Sequence, residues 1–275
     1  MRPLFNYIDR PSPIHRLTGA SKLVCLLLWT LAAMMTYDTR LLIFLAAGSV
    51  ILFILARLRI SDVSFLFGFI LAFMILNNLM IFLFSPEHGV TLYGTRHVLF
   101  SLGGRWVVTK EQLFYHFNLL LKYCAMIPII MAFVCTTQPS EFAASLNRIG
   151  VKYTVAYSVA LALRYIPDVQ REYHEISQAQ QARGIEMSKK ESLSKRLKAA
   201  SAILIPLILS SMDRIEVISN AMELRGFGKN KGRSWYMARP FRAADFVSMA
   251  FCALLLAAAL ILNHLNGSRF WSPFG

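Results

Sequence analysis

The sequence predicts an all-α integral membrane protein with about five transmembrane helices and further cytoplasmic helices, two of them long and crossing. Apolar residues make up 56% of the 275 residues and charged residues only 16%, whereas about 25% of the residues in soluble domains are charged. Several apolar runs approach the length that crosses a bilayer. Lys and Arg are concentrated in alternating loops, as expected of a membrane protein with one cytoplasmic side.

Five apolar runs are candidate spans, because about 20 consecutive apolar residues cross the hydrocarbon core. They are Leu23 to Met35 (extendable to Tyr37), Leu41 to Ala56, Val63 to Phe84, Leu113 to Cys135 and Ala243 to Leu262. The first two are short for full spans and are expected to be tilted. Asn77 and Asn78 interrupt the third run. The fourth contains Lys122 and a kinking Pro128, and Asp245 lies near the start of the fifth.

The distribution of charge predicts the topology of these spans. The leader, the 57–62 loop and the segment 138–242 together hold 23 Lys and Arg, against five in the remaining loops and the tail. Basic residues collect on the cytoplasmic side. The sequence therefore predicts a multi-pass cell-membrane protein with a cytoplasmic N-terminus. Its predicted regions are N-terminal membrane helices (1–136), a cytoplasmic region (137–242), and a last span with its tail (243–275).

The cytoplasmic region contains an internal repeat. Each unit has an apolar run, either 155–163 or 203–209, followed by a polar helical stretch that ends in Arg-Gly. The two ends are Ala182-Arg183-Gly184 and Leu224-Arg225-Gly226. Glycine ends helices well because it adopts the left-handed conformation without a Cβ clash. We therefore expect two similar helices that project an arginine from their C-terminal ends.

Each arginine alone could simply complement the negative end of its helix. Two such endings on two similar helices favour a second interpretation. Arginine presents five donors in a rigid fork, which suits an acidic groove on a partner. The pair therefore predicts two matched docking points for two similar partner subunits. Small residues in both units have two possible explanations: they allow a close crossing of the two helices, or they simply favour helix formation. They are Ala156, Ser158, Ala160 and Ala162 in one unit and Ala199, Ala200, Ser201 and Ala202 in the other.

A short amphipathic helix is expected before the repeat. Phe142, Leu146 and Ile149 recur at helical spacing between Pro139 and Gly150. We expect this helix to lie on the inner membrane surface.

These residues resemble the transmembrane T component of energy-coupling factor (ECF) vitamin and metal transporters. That family carries two short Ala-Arg-Gly motifs, which residues 182–184 and 224–226 resemble, with leucine for alanine in the second and Phe227 after it. The segment 137–141, Thr-Gln-Pro-Ser-Glu, resembles the start of the family's coupling region, and Arg164 and Pro167 also fit. The leader resembles the family's in His15-Arg16-Leu17, whereas Thr18 to Ser21 departs from its usual Asp-Pro-containing link.

The resemblance implies a mechanism with several partners. Two cytoplasmic ABC-type ATPase subunits would each accept one arginine-tipped helix. Their ATP-driven motion would then move a small membrane substrate-binding protein, the S component, during uptake of a vitamin or metal ion. The docking residues would be Ala182, Arg183, Gly184, Leu224, Arg225 and Gly226, with support from Pro139, Glu141, Arg164 and Pro167. No cofactor and no metal site in this chain is expected.

The sequence lacks the common patterns of an enzyme. It has no H-E-x-x-H, no G-x-S-x-G and no phosphate-binding G-x-x-x-x-G-K-[ST] pattern. Its four cysteines have no C-x-x-C spacing, so we expect inert thiols. The sequence predicts a non-catalytic subunit whose partners handle ATP.

The main alternative is a solute-translocating permease subunit of another transporter class. Charges within spans would mark its pathway, but only Lys122 lies within a span and Asp245 near an end. Asn77 and Asn78 could pair helices or bind a substrate. Nucleic acid is not an expected partner, because the topology already accounts for the basic charge and few exposed aromatic residues could stack on bases.

Overall fold

Helices account for all five apolar runs in the computed structural model, which describes residues 10, 12–103, 106–185, 193–229, 235, 239–271 and 273. The first elements are α1 (Gly19–Met35), α2 (Thr39–Leu55), α3 (Ile60–Phe84), α4 (His88–Tyr93), β1 (Val98–Gly103), β2 (Trp106–Thr109) and α5 (Lys110–Thr136). The later elements are α6 (Pro139–Arg148), α7 (Tyr153–Ala182), α8 (Leu193–Leu224) and α9 (Ala243–Leu265). The chain forms two units, Met1–Gln138 with Arg239–Gly275, and Pro139–Ala238.

The prediction of an all-α membrane protein is confirmed. Within the described part of the chain, three helical stretches are long and apolar enough to cross a membrane, namely Phe67–Phe84, Lys110–Thr136 and Ala243–Leu265. The apolar helices α1 and α2 have 17 residues each. They rise about 26 Å, somewhat less than the hydrocarbon core of about 30 Å.

A small antiparallel hairpin and the short helix α4 were not predicted. Strand β1 pairs with β2 from Val98 opposite Thr109 to Gly103 opposite Trp106. Both elements precede α5, whose N-terminus they cover. The backbone of Lys110 donates to the carbonyl of His97, and the buried carboxylate of Glu111 accepts from the backbone N–H of His97 at 3.1 Å.

The helices of the first unit alternate in direction around α5. The hydroxyl of Thr39 donates to Asn118 at 2.7 Å, which places the start of α2 beside the first half of α5. Ala56 and Cys135, beyond the end of α2 and near the end of α5, share an apolar cluster against which Ile14 packs. The start of α1, the end of α2 and the end of α5 therefore lie on one side of this unit.

The proline within α5 leaves one backbone carbonyl without its helical hydrogen-bond donor, and a side chain from another helix supplies the donor. Pro128 has no N–H, so the carbonyl of Cys124 four residues earlier loses its helical donor. The hydroxyl of Ser49 in α2 donates to that carbonyl at 2.8 Å. The indole of Trp29 in α1 donates to the adjacent carbonyl of Ala125 at 3.1 Å. Three helices thus meet at the proline, within a core whose members also include Leu41, Leu45, Ile129, Leu255 and Ala259.

Asp245 joins the starts of α1 and α9. Its carboxylate is fully buried and accepts from the backbone N–H of Thr18 at 2.8 Å, the hydroxyl of Ser21 at 2.6 Å and the backbone N–H of Arg242 at 2.8 Å. An acceptor at a helix N-terminus satisfies donors that the helix leaves open. Asp245 therefore ties the start of α9 to the segment that precedes α1.

The second unit begins with the predicted short helix α6. Its buried residues are Glu141, Ala143, Ala144 and Ser145, whereas the predicted apolar face is only partly covered and Ile149 is 39% exposed. Gly150 then turns the chain with φ +103°. A position on the membrane surface stays a prediction.

Candidate coupling site

Arg183 caps the C-terminus of α7 in a regular glycine-terminated ending. Gly184 has φ +84°, and its N–H donates to the carbonyl of Gln181 at 2.9 Å. The N–H of Ile185 donates to the carbonyl of Gln180 at 3.1 Å. These two bonds define a Schellman motif, in which a left-handed residue directs the next N–H groups back to the last turn.

Arg225 caps α8 in the same way. Gly226 has φ +66°, and its N–H donates to the carbonyl of Glu223 at 2.8 Å. The N–H of Phe227 donates to the carbonyl of Met222 at 3.0 Å. The predicted left-handed glycines are therefore confirmed at both ends. The two arginines occupy equivalent positions in two equivalent backbone motifs.

Both ends present their motif side chains to the outside of the second unit. Ala182 and Leu224 are the last helical residues of α7 and α8, and Ala182, Arg183 and Arg225 are exposed. Leu224 is 90% exposed. A cation at a helix C-terminus offsets the partial negative charge of the terminal carbonyls, so both guanidinium groups suit their position without being buried.

The helices α7 and α8 run in opposite directions along each other. Near the end of α7, the amide of Gln180 donates to the carbonyl of Ala202 at 3.1 Å, in the first half of α8. Near the start of α7, the ring of Tyr157 lies 4.8 Å from that of Phe227, just beyond the end of α8. The end of α7 therefore lies beside the first half of α8, and the start of α7 lies beside the end of α8.

The antiparallel register separates the two arginines. Arg183 lies at the end of the pair that holds the start of α8, and Arg225 lies beside the start of α7. The helical rise from position 157 of α7 to Arg183 is about 39 Å. The same register places the two predicted small-residue stripes, 156–162 and 199–202, at opposite ends of the pair. They do not face each other, so these small residues do not bring the two helices together, which favours helix propensity as their explanation.

An aromatic cluster supports the Arg225 end. Phe227 packs against Tyr153 and Tyr157 with ring centroids 5.4 and 4.8 Å apart. Trp235 adds contacts to both tyrosines at 6.1 and 6.4 Å, and its indole donates to Asn147 at 3.1 Å. Sequence reasoning missed this cluster, because its members are far apart in the chain. The aromatic residue after the second Arg-Gly was its only signal.

The predicted supporting residues lie in two helices, α6 and α7. Pro139 is the exposed first residue of α6, where its missing N–H costs nothing. Glu141 is buried in the same helix. Arg164 and Pro167 are exposed in the middle of α7, several helical turns before Arg183. The structure does not gather these four residues around either arginine.

Comparison with known proteins gives one family match and many relatives over most of the chain. Residues 10–235 match the family described as CbiQ, cobalt transport protein. The chain is 28% identical to the energy-coupling factor transporter transmembrane protein EcfT of Bacillus selenitireducens, over 95% of this chain and 97% of that protein. It is 24% identical to the EcfT protein of Macrococcus caseolyticus, over 96% and 97% of the two chains. It is 27% identical to the EcfT protein of Listeria innocua, over 98% and 97%.

Proposed function

The chain belongs to the CbiQ family of cobalt transport proteins, and from this premise we propose that it is the energy-coupling membrane subunit of an ECF-type ABC importer. It transmits the ATP-driven motion of two cytoplasmic ATPase subunits to a separate S component that binds a vitamin or metal ion. The chain itself is non-catalytic. The observation that carries the proposal is the presence of two equivalent arginine caps at opposite ends of an antiparallel helix pair.

The spacing of the caps supports two docking points. Arg183 and Arg225 lie more than about 30 Å apart along the helix direction, so a separate globular subunit can bind each one. Both side chains are exposed, and a guanidinium fork binds a carboxylate through two parallel hydrogen bonds. Two ATPase subunits with an acidic groove each match this arrangement, and Ala182, Gly184, Leu224 and Gly226 shape the two contacts.

The polar residues of the spans favour coupling over solute conduction. The hydroxyl of Tyr123 donates to Asn77 at 3.1 Å, and Asn78 lies 3.0 Å from a ring nitrogen of His116. Both contacts pair α3 with α5. The ammonium of Lys122 donates to the carbonyl of Met34 at 3.3 Å. These groups stabilise helix contacts, which leaves the permease alternative without a polar pathway in the described part of the chain.

The proposal includes the orientation with the N-terminus and residues 137–242 in the cytoplasm. The charge bias supports it, as does the common side shared by the start of α1 and the ends of α2 and α5. Single cysteines replacing Arg96 and Ser194, in a variant without native cysteines, test the orientation. An impermeant reagent added outside intact cells should label the cysteine at 96 only. Labelling of the cysteine at 194 from outside would overturn the orientation.

The double variant Arg183→Glu with Arg225→Glu tests ATPase docking. We expect the variant to insert into the membrane normally and to lose both the ATPase subunits and substrate uptake. An acidic residue facing an acidic groove leaves the partner's charge unpaired, which weakens binding by roughly 2–5 kcal/mol per contact. The measurement is the yield of ATPase that co-purifies with the tagged chain in mild detergent.

Arg171→Glu is the matched control, since Arg171 is an exposed α7 arginine with a side chain that is 71% exposed. The control should retain both ATPases, and each single reversal at 183 or 225 should weaken mainly one contact. Normal ATPase yield from the double variant would refute the docking proposal.

A further inference from the structure

One largely buried acidic side chain, that of Glu172, joins the middle of α7 to the middle of α8. Glu172 in α7 uses both carboxylate oxygens toward α8: Oε1 accepts from the hydroxyl of Ser210, and Oε2 accepts from the guanidinium of Arg214 at 2.6 Å. The Glu172 side chain is 16% exposed and that of Arg214 is 33% exposed. Ser210 and Arg214 are four residues apart and therefore lie on the same face of α8, one turn from each other.

The ion pair joins equivalent positions of the internal repeat. The separation of Glu172 and Arg214 along the chain equals the separation of Arg183 and Arg225. Each member of the ion pair therefore precedes the arginine that caps its own helix by the same rise, about 16 Å. The contact lies midway between the two arginine caps, at the local two-fold centre of the antiparallel pair.

A second polar contact fixes the same register. Pro206 lacks an N–H, so the carbonyl of Ala202 four residues earlier has lost its helical donor. The amide of Gln180 in α7 donates to this carbonyl. Sliding α8 by one residue moves it about 1.5 Å and turns its contact face by about 100°. Such a shift would break the contacts of both Glu172 and Gln180.

Apart from the aromatic cluster around Phe227, apolar packing between α7 and α8 is sparse. Within the described residues, the buried members of α7 are Tyr153, Ala156 and Ser177, and Ala199 and Ile203 are buried in α8. Large apolar side chains of α8 instead point outward and are more than half exposed, including Ile205, Ile208, Leu209, Met212 and Ile215. A helix pair with so small a core depends on directional contacts to hold one alignment.

We infer that Glu172 and Arg214 are positioning residues that fix the alignment of α7 and α8, and we call this ion pair the pivot. The inference rests on the proposed function. The pivot makes α7 and α8 move as one body, so that displacement of one arginine cap by its ATPase shifts the other end of the pair. Without the ion pair, only the Gln180 contact and the aromatic cluster near Arg225 hold the alignment, and the two helices slide when an ATPase displaces one cap. ATP hydrolysis then continues while the motion is not passed on.

The test compares Glu172→Arg, Arg214→Glu and the charge-swapped double variant in the complete transporter, reconstituted in proteoliposomes. Substrate taken up per ATP hydrolysed should fall about tenfold in each single variant, because each places like charges in contact. The swap restores the pair and should return the ratio to within about twofold of the parent. Arg171→Glu, which alters an exposed ion pair on the same helix, is the control and should leave the ratio unchanged.

A second measurement reports the register directly and needs no partner subunit. Spin labels at Gln178 of α7 and Met212 of α8, both exposed, are placed in a variant without native cysteines. The distance distribution should be narrow in the parent and in the swap, and broad in each single variant. Undiminished uptake per ATP in the single variants, or narrow distributions in all of them, would overturn the inference. A swap that regains the narrow distribution but not the uptake ratio would do the same.

The ATPase yield separates this inference from the proposed function. All pivot variants should keep their ATPase subunits, because both arginine caps are intact. Loss of coupling with bound ATPases supports the pivot. A parent chain that binds no ATPase would refute the proposed function, while the spin-label distances would still test the pivot.

Discussion

Lys22 and Lys122 cap the C-terminal ends of each other's helices. The ammonium of Lys22, near the start of α1, donates to the carbonyl of Thr136 at 2.9 Å, the last residue of α5. The ammonium of Lys122 in α5 donates to the carbonyl of Met34 at 3.3 Å, in the last turn of α1. Both lysines are buried. Because α1 and α5 are antiparallel, two cations stabilise two negative helix ends whose carbonyls have no helical donor.

This reciprocal capping by Lys22 and Lys122 predicts that Lys122→Met destabilises the first unit. The variant loses the bond to Met34 and the cation that lies 3.2 Å from the centre of the Tyr37 ring. Loss of a hydrogen bond from a charged donor costs about 1.5–3 kcal/mol. The thermal unfolding temperature of the purified protein in detergent should fall. Lys110→Met is the control, since Lys110 lies in the same helix but is exposed. Equal unfolding temperatures for both variants would contradict the assignment.

The hydrogen bond from Ser49 to the carbonyl of Cys124, which Pro128 leaves without a helical donor, predicts a non-additive pair of substitutions. Ser49→Ala removes the donor to the carbonyl of Cys124 and should cost about 1–3 kcal/mol of unfolding free energy. In a Pro128→Ala background the new N–H of residue 128 can satisfy that carbonyl. Ser49→Ala should then cost much less. A double-mutant cycle in detergent measures the coupling, and additive effects would show that the hydroxyl does not compensate for the proline.

The surroundings of Gly48 and Gly68 predict different effects of the same glycine-to-alanine substitution on stability. A Cβ at Gly48 in α2 would approach the Trp29 ring to 2.8 Å, whereas a Cβ at Gly68 in α3 meets nothing within 4 Å. Gly48→Ala should therefore destabilise by about 1–3 kcal/mol through overpacking. Gly68→Ala should be neutral, or stabilising by up to about 1 kcal/mol through helix propensity. Thermal unfolding of the two variants checks the order of their stabilities, and a reversed order would show that Trp29 does not restrict the space at Gly48.

The cap at Arg183 predicts that backbone geometry matters apart from charge. Gly184→Ala retains Arg183 and meets no atom within 4 Å, but φ +84° costs a residue with a Cβ about 1–2 kcal/mol. The variant should bind less ATPase in the co-purification measurement. Gly184→Asn should retain more binding, because asparagine tolerates the left-handed conformation better. Equal yields from both variants would show that the cap does not position the arginine.

The sequence predicted the helices and their ends correctly where the stabilising interactions join residues close together in the chain. Apolar runs located α1, α2, α3, α5 and α9, because each span buries its own backbone bonds. The left-handed positions of Gly184 and Gly226 were also predictable, since a Schellman motif involves only six consecutive residues. The hairpin at 98–109 was missed. Its stability depends on contacts such as the one between His97 and Glu111, not on a long apolar run.

The sequence by itself therefore determined the membrane class, the helical segments, the family resemblance and the two arginine caps. Only the tertiary structure decided how these helices and arginine caps are arranged relative to one another within each unit. Only the antiparallel register shows that Arg183 and Arg225 lie at opposite ends, that Glu172 meets Arg214 and that Phe227 packs on Tyr157. Propensity and capping act over a few residues along the chain. The relative direction and alignment of two helices depend on contacts between residues far apart in sequence, which no local pattern encodes.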